Sequence, residues 1–505
     1  MAAMTQRQLL LLAALALPIS LTAQLEIATG YSTGSDTDFG KIICAIGDGN
    51  GDGTPDFVVH GTTIGPQPGA RLQLISGATR APLGQVIASP FNFGAILNGT
   101  DDLDLDGNHD FIAGFDTTLR AYSGANAALL WTSNLAADFY CACGIGDIDN
   151  DSRAEIAAGV RINGIYHIVI LRGSDGSQLG NTATIQGYPE QIIPIGDLNG
   201  NGQTEVVIRT SSTAEIYRTV SPFRLRTITP PLSSLAHLEA ANVAGNAGSE
   251  LIISRSGRLF TYVPFTGQLL RTDITQNHEF TVVGDLNSDG FDDLALIDSQ
   301  PRHGFTPDGS LILVSGATGA YLANWSRSSF FGARVLTGAG DLDGDGFGDL
   351  LLGDQSASAT GGTNGDGAFQ LVSCRIQATT FSIPVNCHGG PFPPELGMSR
   401  PIIGQTASII GRDCPANAWG ILALSLKPEH PISLGFSGCD AWFDISNGLL
   451  VHQQPPAISW SFGLPIPNAL QLSGLSLALQ ALYLPSTSPI GMDLSNGIWA
   501  RIGGL

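Results

Sequence analysis

Short runs of β-branched and aliphatic residues alternate along most of this chain with clusters of glycine and acidic residues. Residues 57–59, 156–158, 206–208 and 350–352 are such runs, and none shows the three-to-four-residue spacing of an amphipathic helix, so they predict β-strands. The order of parts repeats. An apolar strand, such as 335–340, leads into an acidic loop and a second strand leaves it. A third strand ends in a turn containing Ser-Gly, as at Ser76-Gly77, Ser123-Gly124 and Ser315-Gly316, and a fourth crosses to the next unit. The glycine of that turn is expected at positive φ.

The acidic loops begin at residues 48, 102, 147, 197, 242, 285 and 341, spaced 43 to 56 residues apart. A repeat of that length holds about four short strands. Seven four-stranded units fit a seven-bladed β-propeller better than a solenoid, so the expected fold is all-β, a propeller over 24–376 with a smaller β-sandwich-like domain over 377–505. The last repeat runs out after its third strand near 369–372, and a strand-like segment, 25–28, precedes the first loop. That N-terminal strand is predicted to complete the seventh blade and remove an open edge.

Six loops are intact. Counting the first acidic residue as position 1, oxygen-bearing side chains stand at positions 1, 3, 5 and 9. They are Asp48, Asn50, Asp52 and Asp56; Asp102, Asp104, Asp106 and Asp110; Asp147, Asp149, Asp151 and Glu155. The remaining sets are Asp197, Asn199, Asn201 and Glu205; Asp285, Asn287, Asp289 and Asp293; Asp341, Asp343, Asp345 and Asp349. Alternate side chains in a tight turn point into one cavity, and glycine at position 6 allows the bend. Hard oxygen donors in a flexible loop favour Ca²⁺ over Mg²⁺, so up to six Ca²⁺ are expected, with a position-7 carbonyl as a further ligand. The six loops gather 20 carboxylates at these positions. Those at Asp102, Asp147 and Asp341 carry four each and are expected to bind best; the loop at Asp197 has two, and the decayed copy from Asn242 to Glu250 is expected to be empty. An EF-hand matches over the first six positions, but its glutamate at position 12 is replaced by Val59, Leu296 or Leu352.

Phe39-Gly40, Phe93-Gly94 and Phe331-Gly332, with Gly338-Ala339-Gly340 ahead of an acidic loop, add a second recurring signal. Together with the loops they resemble the FG-GAP repeat proteins, including the propeller of integrin α subunits, over about residues 25–376. The resemblance implies a seven-bladed propeller with Ca²⁺ in its blade loops and a role in adhesion or in protein and glycan contact.

The net charge of −21 argues against nucleic acid or anionic membranes as partners. Of the 44 acidic residues, 38 precede residue 377, so the charge belongs to the repeat region. Residues 1–23, with Arg7 ahead of the apolar run 9–17, read as a secretory signal cleaved after Ala23, leaving no membrane span and a secreted or cell-surface protein. Among seven cysteines, Cys141 and Cys143 are expected as small core residues, and one or two disulfides are expected among Cys374, Cys387, Cys414 and Cys439.

Beyond residue 376 the acidic loops cease. Segments 420–426 and 475–480 alternate with period 2, although 475–483 also admits a short helix. Segments 464–468, 477–481 and 495–497 are similar to a C-terminal module of secreted bacterial proteins, notably from planctomycetes, which implies cell-surface attachment or export sorting.

Catalytic motifs are missing: no nucleophile elbow, zinc-protease helix or phosphate-binding loop occurs. Gly435 to Gly438 is a near miss without context. His109 stands at position 8 of its loop, where it should face away from the ion, and His278-Glu279 reads as a surface turn. The expected function is non-enzymatic, an extracellular binding or adhesion module whose partner is a protein or glycan. A polysaccharide-active hydrolase or lyase is the alternative class, favoured if the central channel holds two non-loop carboxylates or aromatics beside a base.

Overall fold

The computed structural model describes residues 26–31, 36–63, 68–220, 222–231, 237–245, 248–255, 257–274, 278–287, 289–298, 311–319, 321–325, 335–355, 357, 367–375, 379–383, 394–426, 432–433, 440–441, 449–468, 472, 475–484 and 491–503. The signal segment, Phe331-Gly332, Asn246, Cys387, Cys439 and 435–438 lie outside them.

Seven antiparallel sheets of at least four strands follow one another among the described residues of the repeat region. In the third, for example, Asp138–Gly144, Ile156–Ile162, Ile165–Leu171 and Ala183–Thr184 pair in chain order. We number these blades 1 to 7 by their acidic loops. Their first strands are Ile43–Gly47, Ile96–Thr100, Asp138–Gly144, Gln191–Gly196, His237–Ala241, His278–Gly284 and Val335–Gly340. Each first strand touches the first strand of the next blade, and Val335–Gly340 touches Ile43–Gly47, which closes the ring. This is a β-propeller.

The core is not one mass but seven wedges, each shared by two adjacent blades. Second strands explain why. Val58 packs toward blade 2 while Phe57 and Val59 pack toward blade 7, so successive residues serve opposite wedges. Both faces of these strands are buried, and the sequence runs are therefore continuously apolar instead of alternating. Phe39 and Phe93 enter wedges at 2% and 1% exposure. Gly40, at φ 82°, lies so close to the Ala368 carbonyl that a Cβ would sit 2.1 Å from it.

The N-terminal strand, Glu26–Tyr31, pairs antiparallel with Ala368–Ser373 as the outer strand of blade 7. The ends of the propeller chain are thus joined in one sheet, as the truncated last repeat predicts.

Three expectations are corrected. The turn glycines Gly77, Gly124 and Gly316 are not left-handed; a Cβ on them would lie 1.7, 2.0 and 1.8 Å from the carbonyls of Pro55, His109 and Asp292. Close approach to the acidic loop is what demands glycine there, and the left-handed residues come later, at Arg80, Ala127 and Gly319. His278-Glu279 opens the strand His278–Gly284 and is no turn. Cys374 and Cys414 are buried free thiols, not disulfide partners. Cys141 and Cys143 are buried core thiols, and burial pushes Cys141 up to about 12.

In the C-terminal region Thr379–Ile383, Gly497–Arg501, Ser476–Leu484, Trp419–Leu426 and Leu449–Gln454 form one sheet, and Glu395–Met398, Thr406–Arg412 and Trp460–Pro465 another. Leu396 and Ile409 of the smaller sheet share a core with Leu422, Leu479 and Ile498 of the larger. Residues 476–484 are a strand, so the helical alternative falls. Motif segments 477–481 and 495–497 meet: Ser495 Oγ accepts the Ala481 N–H at 2.9 Å. Asn496 then clamps the second sheet by taking the Leu396 N–H at 2.6 Å and donating to its carbonyl at 2.8 Å.

Candidate metal centres

Each first strand delivers its loop to the same face of the ring. Within a loop, positions 4 and 6 turn left-handed. Glycine meets this without strain, but Leu105, Asn150 and Ser152 also adopt φ of 67°, 64° and 72°. What holds them is the position-1 carboxylate, which accepts both of their backbone N–H groups. Asp48 takes Gly51 and Gly53 at 2.7 and 2.8 Å, Asp147 takes Asn150 and Ser152 at 2.6 and 2.9 Å, and Asp341 takes Gly344 and Gly346 at 2.7 and 2.8 Å. Asp102 and Asp197 repeat the pattern, and Asp285 takes the Gly290 N–H at 2.8 Å. Position-5 side chains accept the N–H two residues on, as Asp52, Asp106, Asp151, Asn201, Asp289 and Asp345 do at 2.8 to 3.0 Å.

Position 9 is a buried pin. Asp56, Asp110, Glu155, Glu205, Asp293 and Asp349 are at most 1% exposed, and one oxygen of each accepts the position-2 N–H at 2.7 to 3.1 Å. In three loops the other oxygen takes the N–H of Gly77, Gly124 or Gly316, tying loop to turn. Burial, reinforced by neighbouring aspartates against the donated N–H groups, pushes Asp56 and Asp110 up to about 6 and Asp293 and Asp349 up to about 7. The same leading cause raises Glu155 and Glu205.

The structure brings positions 1, 3 and 9 together in the three loops richest in carboxylate. In Asp102/Asp104/Asp110, Asp147/Asp149/Glu155 and Asp341/Asp343/Asp349, one oxygen from each residue lies within 4.8 Å of the others. Asp149 Oδ1 and Asp349 Oδ1 are buried there without a hydrogen-bond partner. Position-5 residues Asp106, Asp151 and Asp345 stay outside these groups. In the other three loops an asparagine amide replaces the facing carboxylate at position 3. Asn50 and Asn287 donate to Asp56 and Asp293 at 3.2 and 3.4 Å, and Asn199 donates to Glu205. In the decayed loop Glu250 still accepts Val243 N–H at 2.9 Å, so position 9 keeps its structural task where the other ligands are gone. His109 turns away from the Asp102 cluster, its Nδ1 3.3 Å from Thr100 O, as its position predicts.

One relationship had no signal in the sequence. The position-8 N–H of a loop donates to the position-1 carbonyl of the preceding loop: His109 to Asp48 at 3.0 Å, Ala154 to Asp102 at 3.1 Å and Asp292 to Asn242 at 2.8 Å.

Inside the ring lies a cavity of about 890 Å³, walled mainly by first strands. At its end away from the acidic loops stand Tyr140, Glu190, His237 and Glu239. Arg209 Nη1 holds Glu190 at 2.5 Å; His237 Nε2 lies 3.1 Å from Glu239, which also accepts Thr281 Oγ1 at 3.4 Å.

No family model matches the sequence. Among solved structures the chain is similar to BBS1N in two crystal structures of its complex with ARL6DN, one soaked with lead and one with mercury. The TM-scores are 0.46 and 0.47 and the identities 11% and 10%, over 68% of this chain and 96% of that chain in both cases.

Proposed function

We propose that the chain is a calcium-binding β-propeller of the FG-GAP type, working as an extracellular module that binds a protein or glycan. One observation carries the calcium reading. Three carboxylates converge within 4.8 Å in each of three loops, and Asp349, wholly buried, keeps an oxygen without a partner. Facing carboxylates repel unless a cation lies between them, and oxygen-only donors in a flexible loop suit Ca²⁺. Asp102, Asp147 and Asp341, with their position-3 and position-9 partners, would hold the tightest ions. The Asn-bearing loops would follow once their amides turn an oxygen inward. The inter-blade seating of Phe39 and Phe93 supports the FG-GAP reading. The ions serve the scaffold, and the C-terminal sheets serve attachment to the cell surface.

A polysaccharide-active hydrolase or lyase remains the second reading, because Glu190 and Glu239 line the channel. These two non-loop carboxylates meet the condition set for that class, and His237 lies 3.1 Å from Glu239; what favours binding is that Arg209 pairs Glu190 at 2.5 Å. Calorimetric titration of metal-free protein with Ca²⁺ tests the proposal. Binding at three or more sites with little response to Mg²⁺ supports it; no heat and no bound calcium by native mass spectrometry rejects it.

A further inference from the structure

We infer that the surface beside the channel mouth, on the face away from the acidic loops, is a binding site for a neutral carbohydrate, formed where Tyr166 and Tyr188 pack against the channel-lining Tyr140. This rests on the binding-module reading above and gives that module its ligand class and place.

Three tyrosines from different segments meet there. Tyr140 is the third residue of the first strand of blade 3, Tyr166 lies on its third strand, and Tyr188 comes from the crossover into blade 4. Their ring centroids are 4.7 to 5.9 Å apart and their planes 69° to 81° to one another. Many propeller aromatics fill wedges, with Phe57, Phe93, Phe111, Phe280 and Tyr217 at most 1% exposed, while Phe91, Phe223 and Phe265 are exposed rings that join no such cluster among the described contacts. Tyr188 is 48% exposed. Edge-to-face packing fixes the three rings at little entropic cost, and an amphipathic ring face suits the C–H face of a sugar.

The polar groups beside them are fixed too. Arg161 grips Asp138 through Nε and Nη2 at 2.9 and 2.6 Å on the blade-3 flank, and Arg209 grips Glu190 at 2.5 Å on the blade-4 flank. Tyr140 and Glu190 both face the cavity, whose lining runs on through the ring to Asp101 and His109. Carboxylates held by arginines keep lone pairs for hydroxyl donors while adding no unmatched charge, an arrangement suited to a polyhydroxylated ligand.

Charge narrows the class. Arg209 faces both Glu190 and Glu279, and the mouth also holds Glu239. Against a chain of net charge −21, a uronic or sulfated sugar is repelled. Each mouth carboxylate already has a basic or hydroxyl neighbour, so an ammonium ligand gains less than a neutral one.

The test uses the full mature protein with Ca²⁺ present and calorimetry against neutral hexasaccharides of β-glucan, chitin, xylan and mannan, with polygalacturonate and alginate hexasaccharides as anionic controls. At least one neutral probe should bind. Tyr188→Ala should weaken it about tenfold while Tyr188→Trp retains it, since one lost ring contact is worth roughly that factor. Because Tyr188 is half exposed, an unchanged melting curve for Tyr188→Ala separates lost contact from misfolding. Phe265→Ala, which removes an exposed ring in the turn after the third strand of blade 5, should leave sugar affinity unchanged. No binding by any neutral probe, preference for the anionic probes, affinity unaltered in Tyr188→Ala, or a protein ligand captured by these tyrosines in place of sugar each overturns the inference. Sugar binding by a protein that takes up no Ca²⁺ would instead reject the calcium reading and leave this one standing.

Discussion

The backbone amide of Ala154 donates to the carbonyl of Asp102 at 3.1 Å, so the last turn of one acidic loop is bonded to the first ligand residue of the loop before it. Side chains reinforce the stitch: Arg153 reaches Leu103 O, and Gln203 Nε2 reaches Ile148 O at 3.2 Å. Ala154 directly precedes Glu155, the position-9 pin of its own loop. An ion that orders one loop therefore orders the carbonyl frame of its neighbour.

This contact predicts coupled calcium binding along blades 2 and 3. Asp149→Ala should lower affinity in its own loop and weaken the Asp102 loop by about threefold to tenfold, the scale of one or two backbone hydrogen bonds. A double-mutant cycle of Asp104→Ala with Asp149→Ala, read by calcium titration, measures the coupling. Strict additivity would show that the loops act independently.

Chelation should destabilise the propeller. A site filled at a hundred times its Kd contributes about 2.7 kcal/mol by mass action, so emptying even two sites should lower the Tm by several degrees. Differential scanning calorimetry with and without EDTA checks this. An identical melt would contradict the calcium assignment.

Glu250 separates the structural task of position 9 from metal binding. It is fully buried and accepts the N–H groups of Val243 and Ala244 at 2.9 and 3.0 Å, in a loop that lacks the other carboxylates. Glu250→Ala leaves both donors unsatisfied and should cost about 2–4 kcal/mol. Glu250→Gln, which keeps an acceptor, should cost less. Neither penalty should change on adding EDTA, and a calcium-dependent penalty would place an ion in that loop.

Much of this architecture was legible in the residues. Second strands such as 57–59 and 350–352 announce themselves because both faces are buried, and loop spacing marks the blades. The outer strand Glu26–Tyr31 could be read because blade 7 lacked one. Position 9 was legible as an acid but not as a pin, since its partners are the position-2 amide and a turn glycine about 14 to 23 residues away. The turn glycines misled for a related reason: propensity suggests a left-handed residue, while the need is room for the carbonyls of Pro55 and His109. The stitch from Ala154 to Asp102 is carried by backbone atoms, which any residue supplies, so sequence is silent on it. The tyrosine cluster unites residues from three segments, and no periodic pattern connects them.

His60 predicts an acid-labile step unrelated to the loops. It lies on the strand Asp56–Thr63 at 3% exposure, beside Gly94, with both ring nitrogens buried. Burial, then the charge of Lys41, lowers its pKa from 6.5 to about 4, with the Phe93 backbone and then Asp38 opposing. The ring is therefore neutral in the folded protein from pH 6.5 down to about 4, while the unfolded chain takes up a proton across that interval. Stability from this group is complete above pH 6.5 and is lost as pH falls, by up to about 1.4 kcal/mol per unit and on the order of 2–3 kcal/mol in all. His60→Gln removes the titration. Urea unfolding of both proteins in EDTA, from pH 7 to pH 4.5, cancels the shared carboxylates and leaves the histidine. The wild type should lose stability faster by that amount, and parallel profiles would mean that His60 titrates alike in the folded and unfolded chain.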